Sequence, residues 1–394
     1  MLKHGLTMKR AAGTYITITT LDEPVRAFVP SSLPPNPILE ISPSLQEKLD
    51  SAMLSVGRLD GITSLLPDPA LFLHLYIRKE AVLSSIIEGT QSSLFDLLLF
   101  EMEELPGVPL DDVKEVSSYV AALNHGIKRL HEGFPLCGRL LREIHAILLE
   151  SGRGSSKDPG EFRRSQNWIG GTRPGNARYV PPPAERIAEC MADLEKFIND
   201  APEQTPVLIK AALAHLQFET IHPFLDGNGR LGRLLIMLIL CSEKVLHDPL
   251  LYLSLYFKTH RDEYYALLQR TRTEGDFEAW IEFFAKAVEN SATQATDTVS
   301  ALFNLGKKDQ ATIKNLKRVA GTVLRLHHAL LEKPILTIPR AVAITGLHPG
   351  TVNSAFETLQ KLGIAREITG KRRNRTYAYE RYIAILNEGM EPLV

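Results

Sequence analysis

His222-Pro223-Phe224-Leu225-Asp226-Gly227-Asn228-Gly229-Arg230-Leu231-Gly232-Arg233 joins two segments of helical periodicity. Upstream, Val207, Ala211, Ala214, Phe218 and Ile221 recur at helical spacing. They follow Thr205-Pro206, which reads as an N-cap with proline at the first helical position. Pro223 predicts that this helix stops at or before His222, because the residue preceding a proline disfavours α geometry. Downstream, Leu231, Leu234, Leu235 and Leu238 mark a strongly apolar helix that Gly227-Asn228-Gly229 directly precede. Two buried helices joined by a glycine-rich turn predict a mainly α fold.

The turn also carries chemistry. First-turn amides of a helix lack intrahelical acceptors, and the helix dipole adds to their attraction for an anion. Gly227 and Gly229 let a phosphate approach the backbone without a Cβ in the way. Arg230 and Arg233 lie three apart, hence on one face, and offer charge-assisted donors. Asp226 beside a phosphate site calls for an intervening cation, and Mg²⁺ takes one or two carboxylates together with phosphate oxygens. His222 is then a candidate general base. These parts describe transfer from a nucleotide's phosphate chain to an incoming nucleophile. Two other readings compete. Gly227-x-Gly229-x-x-Gly232 also fits a dinucleotide fingerprint, but it follows a helical stretch and not a strand. His215, His222 and His247-Asp248 are conceivable metal ligands of a helical phosphohydrolase, a scheme that leaves the glycines and arginines without a role. Phe224 is assigned to packing.

Moving outward, residues 45 to about 150 show helical spacing. One helix starts after Asp68-Pro69 and runs through Leu73, Tyr76, Ile77 and Val82 to Glu88-Gly89, where glycine suits a C-cap. Another opens at Ser92 or Ser93 and carries Leu94, Leu97, Leu98 and Met102. Asn167–Thr172 and Ala177–Val180 flank Arg173-Pro174-Gly175-Asn176, which predicts a small β-hairpin. Residues 1–44 read as an extended segment with a strand-like stretch at 14–20. The full division is 1–44, a helical region 45–115, a core 116–300, a helical linker 301–332 and a C-terminal module 333–394.

The chain has 394 residues, 44% hydrophobic and 23% charged, with formal net charge -1. Those values are ordinary for a soluble globular protein and give no global argument for a polyanionic partner. Three cysteines without C-x-x-C spacing argue against a disulfide framework or a structural zinc site. No apolar run follows Lys3, Lys9 and Arg10, and Leu234–Leu240 is too short to span a bilayer. A cytoplasmic protein without a membrane anchor is expected. Charge is uneven, however. Residues 333–379 hold eight Lys/Arg against Glu357 and Glu367, a local +6 that leaves -7 elsewhere.

The run His222-Pro223-Phe224-x-Asp226-Gly227-Asn228-Gly229-Arg230-x-x-Arg233 resembles the signature of Fic-domain proteins at every defined position. The resemblance covers roughly residues 45–300. It implies a helical bundle whose members mostly transfer AMP from ATP to a protein hydroxyl. By that resemblance His222 deprotonates a Ser, Thr or Tyr hydroxyl of a target protein, and Asp226 holds Mg²⁺. Gly227, Asn228 and Gly229 with Arg230 and Arg233 bind the phosphates. Ser84-Ser85-Ile86-Ile87-Glu88-Gly89 resembles the family's inhibitory pattern, in which Glu88 occupies Arg233. The hairpin resembles the family's flap, with Gly170, Gly171 and Thr172 lining a target strand.

At the other end, Ile338–Gly346 reads as a short helix closed by glycine, and Thr351–Leu362 as a second helix with Val352, Ala355, Phe356 and Leu359 inward. Strand-like Ile364–Ile368 and Thr376–Tyr379 surround Lys371-Arg372-Arg373. This arrangement resembles a winged helix-turn-helix domain, which implies DNA contact or, on the same fold, protein contact or dimerisation. Beside the autoinhibited adenylyltransferase stands the alternative of a DNA-binding regulator with a sensing or self-modifying Fic domain. A homodimer is compatible with either.

Overall fold

The computed structural model describes residues 10–64, 69–101, 110–201, 203–370 and 375–389, with only the backbone of residues 64 and 69–71. Met102 and the basic tip Lys371–Arg373 of the sequence reading lie outside the described residues.

β1 (Gly13–Thr20) and β2 (Glu23–Pro30) pair antiparallel from Gly13↔Pro30 to Thr20↔Glu23. Leu21 and Asp22 both take positive φ, the turn geometry that matches the twist of a two-residue hairpin. The sequence reading anticipated β1 but not its partner. Then come α1 (Pro43–Ser64), α2 (Pro69–Ile87), α3 (Leu94–Phe100), α4 (Leu110–His131) and α5 (Gly138–Leu148). Gly89 follows α2 at φ 99°, a conformation that favours glycine. Ser93 caps α3 through a capping box with Asp96.

The expected hairpin at 167–180 is reduced to a single bridge, Ile169↔Tyr179, around a tight turn at Pro174–Asn176. The reason is local. Gly170 and Gly171 both take positive φ, and Asn176 turns inward to accept from the Thr172 and Arg173 amides, so the arms cannot ladder.

α6 (Ala184–Ile198), α7 (Val207–Ile221) and α8 (Asn228–Ser242) follow, and α7 and α8 form the centre of the molecule. Every residue of α7 from Leu208 to Ile221 is buried, as are nearly all of α8. The cap of α7 is Pro206 rather than Thr205, one position later than its sequence suggested. α9 (Ser254–Thr259), α10 (Arg261–Glu274) and α11 (Phe277–Lys314) close the bundle, with α11 lying against α1. α11 runs unbroken through position 300, so the expected boundary there falls inside one helix about 57 Å long.

α12 (Ala320–Glu332), β3 (Ile335–Thr337), α13 (Ile338–Thr345), α14 (Pro349–Lys361), β4 (Arg366–Glu367), β5 (Thr376–Ala378) and α15 (Glu380–Asn387) complete the chain. The strands form one antiparallel sheet in the order β3-β5-β4. Val352, Ala355, Phe356 and Leu359 of α14 face inward, as their spacing predicts. Asp309 of α11 accepts from the Tyr379 hydroxyl and from Arg381, tying this module to the bundle. No helix among the described residues is long and apolar enough to cross a membrane.

Candidate active site

The α7–α8 turn is held rigidly from below. His222 ends α7 in the left-handed conformation, φ 49° and ψ 61°. That costs a non-glycine residue about 1–3 kcal/mol and marks a position the surroundings must enforce. Arg163 enforces it. Its amide donates to Pro223 O at 2.9 Å, its Nε to His222 O at 3.0 Å and its Nη1 to Ser165 O at 3.1 Å. Phe224 is fully buried against His145, Phe162 and Phe218, the packing role expected of it. His145 stacks on Phe224 and accepts from the Gly160 amide at Nδ1, so its Nε2–H donates to Asp226 O at 3.0 Å. His145 and Arg163 were not singled out in the sequence, since nothing local distinguishes them.

His222 Nδ1 is buried and has no hydrogen-bond partner among the described residues. Burial, followed by the Arg163 and Arg272 guanidiniums, draws the imidazole down to about 3, so it is neutral at physiological pH. A neutral imidazole can accept a proton.

α8 begins at Asn228 with Gly227 as its cap at φ 76°. Asn228 differs from its expected role. Its side chain is buried and spans the turn, donating to Phe224 O at 2.8 Å and accepting from the Phe224 amide at 2.9 Å. It is a strut, which leaves the backbone amides of the first turn to meet an anion. Asp226 is one-third exposed, and its Oδ1 accepts from the Gly227 amide at 2.6 Å.

The two arginines diverge. Arg233 donates from Nε to Ser84 Oγ, and from Nη2 to Ser84 O and Glu88 Oε1, each at 2.9 Å. Burial alone would raise the Glu88 carboxyl, but Arg233 overcomes this and holds it below the usual range. A Cβ added at Gly229 would stand 2.3 Å from Glu88 Oε1. The carboxylate therefore lies over the first turn of α8, where that turn attracts an anion. Arg230 turns the other way. Fully buried, it meets Glu115 of α4 at 2.6 Å and Asp226 at 3.5 Å. The expectation that both arginines address one place is corrected by these separate carboxylates. Arg153 bridges the two sides, donating to Glu88 O at 2.9 Å and lying 3.6 Å from Glu115.

Glu80, one turn below Ser84 on α2, is a buried carboxyl raised to about 7 by burial, and it accepts from Ser254 and Tyr119. Glu219 on α7 is likewise raised to about 7 by burial. The hydroxyl of Tyr265 on α10 is raised by burial and then by the Glu88 charge, against the opposing Arg233. The remaining residues of the competing metal reading do not assemble. His215 is buried between Gly232 O at 2.8 Å and the Tyr264 hydroxyl at 2.9 Å, while His247 is exposed and pairs with Asp60. Gly170, Gly171 and Thr172 are exposed at the bridged turn, which Arg173 and Gly175 tie to Glu23.

A helical core around a strained histidine, a glycine-capped helix start and an occupied arginine defines a fold class, and comparison identifies it as the Fic fold. Residues 46–128 match the Fic/DOC family N-terminal region and residues 135–240 the Fic/DOC family itself. The chain thus contains a Fic domain. It is 29% identical over 252 residues to protein adenylyltransferase Fic of Drosophila yakuba, covering 63% of this chain and 46% of that protein. With the Culex quinquefasciatus protein of the same name the identity is 30% over 255 residues, covering 62% and 46%. The chain therefore spans about half the length of the curated relatives it matches. A Fic family protein from Desulfovibrio desulfuricans G20 superposes with TM-score 0.56 at 20% identity, covering 86% of this chain and 97% of that one. A Fic domain containing signaling protein from Bacteroides thetaiotaomicron gives 0.51 at 20%, covering 64% and 97%.

Proposed function

We propose that this protein is an adenylyltransferase that moves AMP from ATP to a Ser, Thr or Tyr hydroxyl of a target protein, and that Glu88 holds it inactive. The observation that carries the reading is the pairing of a neutral His222 at the turn with a helix start already faced by an internal carboxylate. The curated relatives named adenylyltransferases support the chemistry.

In this reading His222 accepts the proton of the target hydroxyl, whose oxygen attacks the α-phosphorus while the bond to the β-phosphate breaks and pyrophosphate leaves. The amides of Gly227, Asn228 and Gly229 meet phosphate oxygens, and Arg233 takes the end of the phosphate chain once Glu88 yields it. Arg230 supplies positive charge from beneath. Asp226, a single part-exposed carboxylate beside that site, is a fitting donor for Mg²⁺. When bound, the ion offsets phosphate charge. The turn at Gly170, Gly171 and Thr172 is assigned to the target segment. Its exposed backbone can pair with an extended chain without reading much sequence.

The test is intact-mass analysis of a Glu88→Gly protein incubated with each nucleoside triphosphate and Mg²⁺. A gain of one AMP is expected with ATP; no gain with any nucleotide removes the proposal. The C-terminal module supports a second, compatible role. Its α13–α14 pair and three-stranded sheet suit a winged helix-turn-helix, with Ser354, Gln360 and Lys361 of α14 exposed. Duplex binding by the full chain that weakens steeply with salt is the check on DNA contact.

A further inference from the structure

α2, the helix that ends at Glu88, touches the C-terminal module at its other end. There His74, Leu75 and Arg78 of α2, Leu98 and Glu101 at the end of α3, and Lys333, Pro334, Ile335 and Arg340 enclose a cleft of about 180 Å³. Its floor is apolar, since Leu75, Leu98, Pro334 and Ile335 are buried. Its walls are basic. Arg78 is already satisfied, donating to both Glu101 oxygens at 2.9 Å and to His74 O at 2.6 Å. Lys333 and Arg340 are different. Both are only partly exposed, and neither has an acidic partner among the described residues.

Two unpaired cations facing one concavity repel each other, and the apolar floor reduces the water available to screen them. An anion between them relieves both costs. We infer that this cleft binds a phosphate-type oxyanion, held by Lys333 and Arg340 at the junction of the Fic core and the C-terminal module. The size agrees, because the space is below that of a drug-sized pocket yet ample for one phosphoryl group. The chemistry agrees as well. A guanidinium offers a planar fork and an ammonium a point charge, the usual pair for a phosphate. Burial, with the Arg78 and Lys333 charges, draws His74 down to about 4, so it faces the ligand as a neutral ring. Glu101 is the single acid among the described residues of the wall, and Arg78 pairs with it.

The site is separate from the turn at His222. Arg78 and Glu88 are ten residues apart on α2, about 15 Å of helix rise. The inference therefore stands or falls independently of AMP transfer.

Calorimetric titration of the full chain with inorganic phosphate, and in parallel with pyrophosphate, tests it. A saturable event with Kd in the millimolar range or tighter is expected. It should weaken at least tenfold in a Lys333→Ala, Arg340→Ala double variant and persist in Lys333→Arg, Arg340→Lys. Neither side chain has a structural partner, so the truncations leave the fold intact, which circular dichroism verifies. Glu101→Gln supplies an effect of opposite sign, because it frees the Arg78 fork, and should tighten binding several-fold. Tighter pyrophosphate than phosphate selects the end of a polyphosphate chain as the ligand; equal binding selects a free oxyanion. Absence of saturable binding overturns the inference, as does a double variant that binds phosphate within twofold of the unaltered protein.

Discussion

Replacing Glu88 isolates the contact on which the proposed autoinhibition rests. Its Oε1 accepts from Arg233 Nη2 at 2.9 Å, with the arginine side chain 2% exposed and the glutamate 31%. A hydrogen bond to a charged group contributes about 1.5–3 kcal/mol net. The partial exposure of Glu88 favours the lower half of that range, since solvent screens the pair. A nucleotide phosphate that must displace this carboxylate is therefore penalised roughly ten- to fortyfold. Glu88→Gly should raise the rate of AMP transfer at subsaturating ATP by that factor. Glu88→Gln, which keeps an acceptor but removes the charge, should fall between. Arg233 loses its counter-ion in both variants, so stability should drop by about 1–3 kcal/mol, and rates must be compared at equal folded fraction. The assay is initial-rate incorporation of labelled AMP over a range of ATP concentrations, with urea melts alongside. Equal rates in all three proteins refute the reasoning. So does a Gln variant no faster than the unaltered protein while Gly is faster, because the effect would then be one of backbone freedom and not of charge.

His222→Ala in the Glu88→Gly background should lower transfer by about 10²–10⁴-fold while leaving ATP affinity within a few-fold, as a general base requires; calorimetry and product mass read the two separately. The pH profile of Glu88→Gly should be flat from about pH 8 down to about pH 5.5, since a ring drawn down to about 3 stays unprotonated throughout. Removing Glu88, whose charge favours the protonated ring, moves that value further down, so an acid limb centred between pH 6 and 7 contradicts the assigned environment. Arg163→Ala should cost more than about 3 kcal/mol in a urea melt, because the carbonyls of His222 and Ser165 lose their buried donor; a loss below about 1 kcal/mol would show that another group holds the left-handed turn.

Much of the central turn was legible because its demands are local. Pro223 limits the geometry of His222, glycine suits the cap at Gly227, and apolar spacing marks α7 and α8 as buried. Position within three or four residues decides each of these. What escaped notice depends on residues far apart in sequence. Glu115 lies 115 positions from Arg230, Arg163 is 59 from His222, and His145 is 81 from Asp226. No periodicity connects such pairs. The turn between Ile169 and Tyr179 shows the converse limit. Its turn composition was readable, but whether two arms ladder depends on backbone signs at Gly170 and Gly171, which residue type permits without specifying. Asn228 misled for a related reason. An amide side chain beside a phosphate site reads as a ligand donor, and only the closed turn reveals that Phe224 uses both of its ends.

The positions of Glu88 and Glu115 bear on where this protein can be divided. Arg230 and Arg233 both emerge from the first turns of α8, and both are almost completely buried. Burying an unpaired guanidinium is costly, and breaking a buried pair by removing one partner costs about 3–5 kcal/mol. The nearest counter-charge of each comes from the N-terminal half, Glu88 from just after α2 and Glu115 from α4, while Asp226 lies farther from Arg230 at 3.5 Å. The expected division at 115/116 cuts α4 and places Glu115 on the opposite side from Arg230. Separating the halves there takes Glu88 from Arg233 and leaves Arg230 only the more distant Asp226, so the helices before residue 131 complete the electrostatics of α8. Arg153 joins the two carboxylate positions through Glu88 O and Glu115. Movement of α2 that frees Arg233 therefore also disturbs the neighbour of Arg230. On the proposed function, release of Arg233 by Glu88 and a change in the charge around Arg230 would be one event, and inhibition would depend on how α2 packs as well as on a single side chain.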